Sequence, residues 1–420
     1  MQENLRKSLV ERFFRYLAVS SQSKEGVEEV PSSSGQMDLA KLLAEELKEL
    51  DFIDVQVNQN AVAQGMLPAR LHEAGKTVPA IAWICHMDTV DVGLSPEIKP
   101  ILIENYQGGE IVQNQELGLR ISPEENPEIL DYIGDDLIVS DGQSVLGADN
   151  KAAIANVMTA MEYLQEHPEI EHGEIYLVFV PDEEVGLRGA RCIDYDALAV
   201  DFAYTIDCCA LGEVVLETFN AGSGLLKITG VTAHPMSSKN NLVNPIMVAH
   251  DFISLLNRAE TPECTERKEG YIWVTDIHSD VLHCEIVLNI RDHSKEKYEA
   301  KKAYLAEAVK LTQVRHPKAK MELQLKDVYG NISDSITEDN QEAIKLLYQA
   351  LDELEISAKT IAMRGGTDGS YVSTKGILTP NYFTGALNFH SSAEFLPLSS
   401  FTKSCQTTLK IIELAVANAK

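Results

Sequence analysis

The stretch Ile81-Ala82-Trp83-Ile84-Cys85-His86-Met87-Asp88-Thr89-Val90 decides how the chain is read. A short apolar run, preceded by Pro79, ends abruptly in a histidine, and an aspartate follows two residues on. Runs of this length read as buried strands of an α/β sheet. Ligands of open α/β sheets bind outside the carboxyl ends of the strands, so His86 and Asp88 stand where chemistry is expected. In an extended segment, residues i and i+2 point to one side. One of the pair can bind a metal while the other fixes the imidazole tautomer. A strand-end histidine is also a common structural residue, so the pair gains its weight from the rest of the chain.

The same device recurs along the sequence. Residues 174–180 form a second buried strand, followed by Pro181-Asp182-Glu183-Glu184-Val185-Gly186. Adjacent carboxylates there repel and raise one another's pKa, which a nearby cation would relieve; a solvated acidic loop reads the same way. Residues 202–206 form a third strand, with Asp207 directly after it. Asp149 precedes a helix whose inner face carries Ile154, Val157, Met158, Met161 and Leu164. A carboxylate at that position is favoured as a cap as well as a ligand.

Elsewhere the pattern sets the architecture. Leu5, Leu9, Phe13 and Leu17 mark an amphipathic first helix, and Leu39, Leu42, Leu43, Leu47 and Leu50 a second. Residues 101–135 read as a long irregular loop with short strands, of the kind that tends to be functional. The style changes near Asn220. Residues 225–326 read as strand, helix, strand, helix, with Cys284, Ile286, Leu288 and Ile290 alternating against polar neighbours. The last ninety residues return to the earlier style, through Arg364-Gly365-Gly366-Thr367-Asp368-Gly369, a strand near 380–384, and Asn388-Phe389-His390. The expected fold is α/β: a mixed-sheet catalytic domain flanked by helices, formed by 1–218 and 331–420, with a smaller α+β domain inserted at 219–330.

With 420 residues, two domains are the default. The 64 acidic residues outnumber the 36 basic ones, for a formal charge of −28. Phosphate backbones and anionic membranes are repelled by such a surface, so neither nucleic acid nor membrane is an expected partner. The seven cysteines are scattered and odd in number, with no disulfide framework, which points to a reducing, cytoplasmic setting. The first residues lack the apolar core of a signal peptide, and no apolar run approaches the ~20 residues of a membrane span.

His86, Asp149, Glu184, Asp207 and His390 thus form one candidate set. Two imidazoles and three carboxylates suit Zn²⁺, Co²⁺ or Mn²⁺. They are too many for one catalytic zinc but fit two ions with one bridging carboxylate.

In order along the chain stand His86-x-Asp88-Thr89, Gly147-Ala148-Asp149-x-Lys151-Ala152, Pro181-Asp182-Glu183-Glu184-Val185-Gly186, Tyr204-Thr205-Ile206-Asp207, Thr232-Ala233-His234-Pro235, Ile290-Arg291-Asp292, Arg364-Gly365-Gly366-Thr367-Asp368-Gly369 and Phe383-x-Gly385 leading to His390. This series resembles the peptidase T family of tripeptide aminopeptidases, a branch of the dinuclear zinc exopeptidases and deacylases, over nearly the whole chain. The resemblance implies that His86 and Asp207 hold one metal, Glu184 and His390 the other, and that Asp149 bridges. Asp88 would orient His86, and Glu183 would be the general base for a metal-bridging hydroxide. It implies a cis peptide after Asp149, and a homodimer through the inserted domain in which His234 reaches the partner's site. Arg291 and Arg364 match positions that meet the substrate carboxylate; pairing of Arg291 with Asp292, or bracing of the Gly-rich turn by Arg364, fits the sequence equally. Asn150, Cys208-Cys209, Met236 and Ser391-Ser392-Ala393 depart from the family pattern, and none removes a ligand or the base. The expected activity is release of the N-terminal residue from short peptides. Dipeptidase, carboxypeptidase and N-acyl amino acid deacylase activities share the same ligand spacing, and a catalytically silent binding paralogue is the reading from another class.

Overall fold

The computed structural model describes residues 2–72 and 75–419. The chain divides into two compact units: Met1–Leu216 with Ile336–Ile361 and Thr367–Lys420, and Glu217–Ser335 with Ala362–Gly366.

The first unit is built on an eight-stranded mixed sheet. Its order is Ile53–Val57, Ala63–Leu67, Ile175–Val180, Ile81–His86, Phe202–Cys208, Asn381–Phe383, Glu213–Glu217 and Lys359–Ala362. The strand Ile81–His86 lies parallel to Ile175–Val180 on one side and to Phe202–Cys208 on the other. It is buried along its whole length, because a parallel sheet covered on both faces needs continuous apolar strands. Helices Gln2–Leu17, Ala148–Glu166 and Leu398–Ala417 pack together beside it, and their apolar stripes (Leu9, Phe13, Ile154, Phe401, Ile412) are buried. Three parallel strands therefore end side by side, at His86, at Val180 just before Pro181–Glu184, and at Asp207–Cys208.

The irregular region holds more order than the sequence pattern suggests. Strand Pro100–Ile103 pairs antiparallel with Leu137–Ser140, which also pairs with Phe395–Pro397. Tyr106, Ile111, Ile121, Ile129, Leu137, Val139 and Phe395 form a small core of their own.

The second unit is a four-stranded antiparallel sheet in the order Tyr271–Ser279, His283–Asp292, Asn220–Thr229 and Lys320–Tyr329. Helices Pro245–Ile253 and Lys295–Arg315 bury Val248, Phe252, Tyr298 and Leu305 against Leu226, Ile228, Cys284, Ile286, Leu288 and Ile290. Its outer strands, Tyr271–Ser279 and Lys320–Tyr329, are the two missing from the sequence reading. Edge strands are half-solvated, and their charged residues blur the apolar alternation. The expected boundaries of 219–330 widen to Glu217–Ser335. Residues 362–366 also belong to this unit, tied in by Met363 N–H to Glu217 O (2.9 Å) and Phe219 N–H to Gly365 O (3.0 Å).

Candidate metal centre

The carboxyl ends of the three parallel strands and the head of the helix Ala148–Glu166 meet at one point in the first unit. His86 closes its strand with the ring 2% exposed. Its Nδ1 faces the Asp88 backbone oxygen at 3.0 Å and the Asp88 carboxylate at 3.4 Å. Its Nε2 faces Asp149 Oδ1 at 3.0 Å and Asp207 Oδ1 at 3.8 Å. Asp149 turns its second oxygen to another imidazole, His390 Nε2, also at 3.0 Å. The same His390 nitrogen lies 3.0 Å from Glu184 Oε1. Donor atoms of His86, Asp149 and Glu184 all fall within 4.8 Å of one another. The Asp149–Asn150 peptide is cis.

Local structure explains these positions. Gly147, in the left-handed region at φ 73°, turns the chain into the helix and presents Asp149 at its head. Glu394 fixes that turn: its two oxygens accept the N–H groups of Gly147 (2.8 Å) and Asp149 (3.2 Å). After Val180, Asp182 takes φ 54° and is fully buried. Its carboxylate accepts Ser32 N–H (2.8 Å) and Gln36 Nε2–H (2.7 Å), while its own N–H donates to Gln36 Oε1 (2.8 Å). The next two residues are then held by Asp88, which accepts Glu183 N–H (3.0 Å) and Glu184 N–H (3.2 Å). His390 is the outermost member, its side chain 45% exposed.

The electrostatics are those of crowded acids. Burial, with the charges of Asp207 and Glu184, pushes the Glu183 carboxyl well above the usual range, against the pull of His86. Burial and Asp149 push Glu184 up to about 7 and Asp207 up to about 6. Asp149 goes the other way: burial would raise it, but His390 and His86 together hold it below the usual range. Hydrogen bonding to Asp149 and Glu184 raises His390 to about 11. Burial also raises Asp368 and Glu394, each to about 8.

This donor set fits divalent cations. The buried Glu184 Oε1 atom is aimed at an imidazole nitrogen of His390, 3.0 Å away. Two imidazoles and three carboxylates converge, and the raised carboxyls are those that a cation would return to the charged form. The cysteines play a different part. Burial raises the thiols of Cys85, Cys208 and Cys209, of which Cys85 and Cys208 are buried and Cys209 half-buried.

All seven expected residues of the metal site and its base, namely His86, Asp88, Asp149, Glu183, Glu184, Asp207 and His390, lie in the first unit. His234, Arg291 and Arg364 lie in the second. His234 is exposed, and its Nδ1 accepts Met236 N–H at 3.2 Å. Arg291 does not pair with Asp292, whose carboxylate lies 3.2 Å from Lys301. One Arg291 nitrogen donates to the carbonyls of Gly222 and Ile290. Arg364 is engaged within the second unit. Its guanidinium donates to the carbonyls of Arg267 and Glu269 and to Thr265 Oγ1, and lies over the rings of Phe219 and Tyr271. It braces its own unit, with its fork spent on protein acceptors. Sequence reasoning missed Asp182, which sits inside a motif it quoted, and Glu394, which directly follows one. The one available signal was an acid repeated within four residues of a proposed ligand.

The sequence pattern of Peptidase family M20/M25/M40 matches residues 147–414. The chain is 50% identical to a peptidase T-like protein of Yersinia pestis over 415 residues, 99% of each sequence. It is 39% identical to a peptidase T of Clostridium acetobutylicum over 408 residues, covering 97% of this chain and 99% of that one. Among solved structures, an aminopeptidase of Bacillus cereus superposes with a TM-score of 0.74 at 23% identity, over 98% of this chain and 99% of that one. The chain therefore belongs to peptidase family M20/M25/M40, in its peptidase T branch.

Proposed function

We propose that the chain is a metal-dependent aminopeptidase that releases the N-terminal residue of short peptides, tripeptides foremost, using two divalent ions, zinc before cobalt or manganese. The observation that carries this reading is the Asp149 carboxylate set between two imidazoles, each oxygen 3.0 Å from a different ring. In this role His86 and Asp207 would hold one ion, Glu184 and His390 the other, and Asp149 would serve both. When bound, such a pair activates a shared water and polarises the scissile carbonyl.

The remaining chemistry belongs to the chain's own residues. Glu183, next in sequence to Glu184 and held by Asp88 through its N–H, is the group placed to take up a proton and return it to the leaving amine. Asp88 fixes the ring of His86 and the backbone of Glu183 together. Nδ1 of His234 accepts Met236 N–H, which leaves Nε2 as the nitrogen that can donate to an oxyanion. Arg291 is the group we assign to the substrate carboxylate.

The second unit supports a homodimer, in which His234 of the partner subunit would serve each site. Among the described residues its edge strand Tyr271–Ser279 is unpaired on one side, and it exposes Trp273 and Ile277. A cytoplasmic location is supported by seven free cysteines. Among the described residues, no helix is long and apolar enough to cross a membrane.

The deciding experiment incubates metal-loaded protein with di-, tri- and tetrapeptides, N-blocked peptides and N-acyl amino acids, and identifies products by mass. A free N-terminal residue plus a dipeptide from tripeptides, with N-blocked peptides intact, is the expected result. Release of the C-terminal residue or of an acyl group would replace the aminopeptidase reading.

A further inference from the structure

The strand that delivers Asp207 is irregular at that residue. It runs parallel to Asn381–Phe383, pairing Thr205 with Asn381 and Ile206 with Tyr382, then Cys208 with Phe383. Asp207 is the residue left over, a one-residue bulge of the kind that re-aims a side chain beside an active site. A bulge leaves a backbone N–H without its ladder partner, and a buried one must be satisfied. Here the N–H of Asp207 donates to the side chain of Asn381, at Oδ1, over 2.7 Å. The ladder resumes at once, since Cys208 O accepts both Thr384 N–H (2.8 Å) and Thr384 Oγ1–H (3.0 Å).

Asn381 is an unusual residue for its place. It is fully buried, in a strand flanked on both sides within the eight-stranded sheet. Asparagine is depleted in strands, and burying its amide is costly without hydrogen bonds. Its Nδ2 makes no hydrogen bond among the described residues, and neither does the hydroxyl of Thr205, its register partner. The contact of the amide with Asp207 is what a Leu or Val in the same space would lack. With that contact gone, the strand can slide by one residue into regular pairing, and a one-residue slip turns every side chain beyond it to the opposite face.

We propose that Asn381 is a positioning residue that holds the bulge at Asp207 and so aims one ligand of the metal pair; this rests on the assignment of Asp207 as a ligand. Cobalt(II) titration of the full chain, followed by visible absorption and equilibrium dialysis, tests it. Asn381→Leu should weaken one of the two sites by about tenfold or more and leave the other nearly unchanged. Asn381→Asp keeps an oxygen facing the N–H and should restore the weakened site. Should the Leu variant fail to fold, amide exchange at Asp207 in the ion-free chain gives the second measurement. Exchange should be slow in the wild type and in Asn381→Asp, and fast in Asn381→Ser, whose hydroxyl is too short to reach. Wild-type affinity at both sites in Asn381→Leu, equal loss at both, or unchanged exchange in Asn381→Ser overturns the proposal. Asp207→Asn separates the two readings. If it leaves both cobalt sites intact, Asp207 is not a ligand, and slow exchange at its amide then reports on the bulge alone.

Discussion

The carboxylate of Asp88 accepts the backbone N–H of Glu183 at 3.0 Å on the same oxygen that lies 3.4 Å from His86 Nδ1. One side chain thus ties a proposed ligand to the proposed base, across two neighbouring strands. Asp88→Asn keeps the shape but gives up the charge and turns one N–H₂ toward a donor. Loss of such a partner typically costs 10–100-fold in metal affinity. We expect a fall of about that size in zinc affinity together with a lower kcat, measured by competition with a chromophoric chelator and by peptide turnover. Unchanged values for both would show that Asp88 is only a buried acid.

Glu183→Gln should separate metal binding from turnover. The amide is close in size and cannot accept the proton that the carboxylate takes. General acid–base groups contribute roughly 10²–10⁴-fold, so turnover should fall at least that far while metal content stays at the wild-type level by elemental analysis. Near-normal activity in this variant would remove Glu183 from the reaction.

His86 and His390 differ in exposure, with side chains 2% and 45% exposed. Replacing either with Ala should lower metal content. Exogenous imidazole can reach the open position at 390 but not the closed one at 86. Added imidazole should therefore restore metal and turnover to His390→Ala and do nothing for His86→Ala. Full metal content in either alanine variant would exclude that histidine as a ligand.

What the sequence could reveal followed from local signals. The strand ending at His86 and the strand before Glu183-Glu184 are continuous apolar runs, so their ends were visible, and with them the groups most exposed to chemistry. Asp182 and Glu394 act through backbone N–H groups distant in sequence, at Ser32, Gly147 and Asp149, and no local pattern records such contacts. The bulge at Asp207 depends on register against a strand some 170 residues later, and apolar periodicity carries no register. Arg364 opens a Gly-rich motif that spans the boundary between the two units, and its stacking on Phe219 and Tyr271 was decided by tertiary packing.

The first unit should be sensitive to acid through Glu162. Burial would raise its carboxyl, but hydrogen bonds from Ser8 and Arg12 and the charge of Arg12 outweigh that and hold it below the usual range. A folded pKa below the unfolded one stabilises the fold above the unfolded value and loses that contribution as pH falls through the folded value. Glu162→Gln should therefore flatten the fall of Tm with pH on the acid side of about 4. Arg12→Leu should do more harm at every pH, because it also takes a 2.6 Å partner from Glu46, whose side chain is 7% exposed. Removing one member of a buried pair costs about 3 kcal/mol or more, although Arg15 and Tyr16 continue to hold Glu46. An Arg12→Leu chain as stable as the wild type would show that this cluster is dispensable.

A shared site makes a prediction that no single variant can. If His234 serves the partner's site, His234→Ala and Glu183→Gln homodimers are each inactive, one lacking the oxyanion donor and the other the base. After unfolding and refolding the two chains together, a mixed dimer contains one complete site. The Glu183 of the His234→Ala chain then works with the intact His234 of the partner subunit. Random pairing puts half of the dimers in this form, so activity should return to on the order of a quarter of the wild type. If His234 serves its own chain, the base and the donor never meet in one site and the mixture stays inactive. Size-exclusion chromatography of the same samples controls for pairing: an inactive mixture that elutes as a dimer refutes the shared site, and a chain that elutes as a monomer at assay concentration refutes the dimer itself.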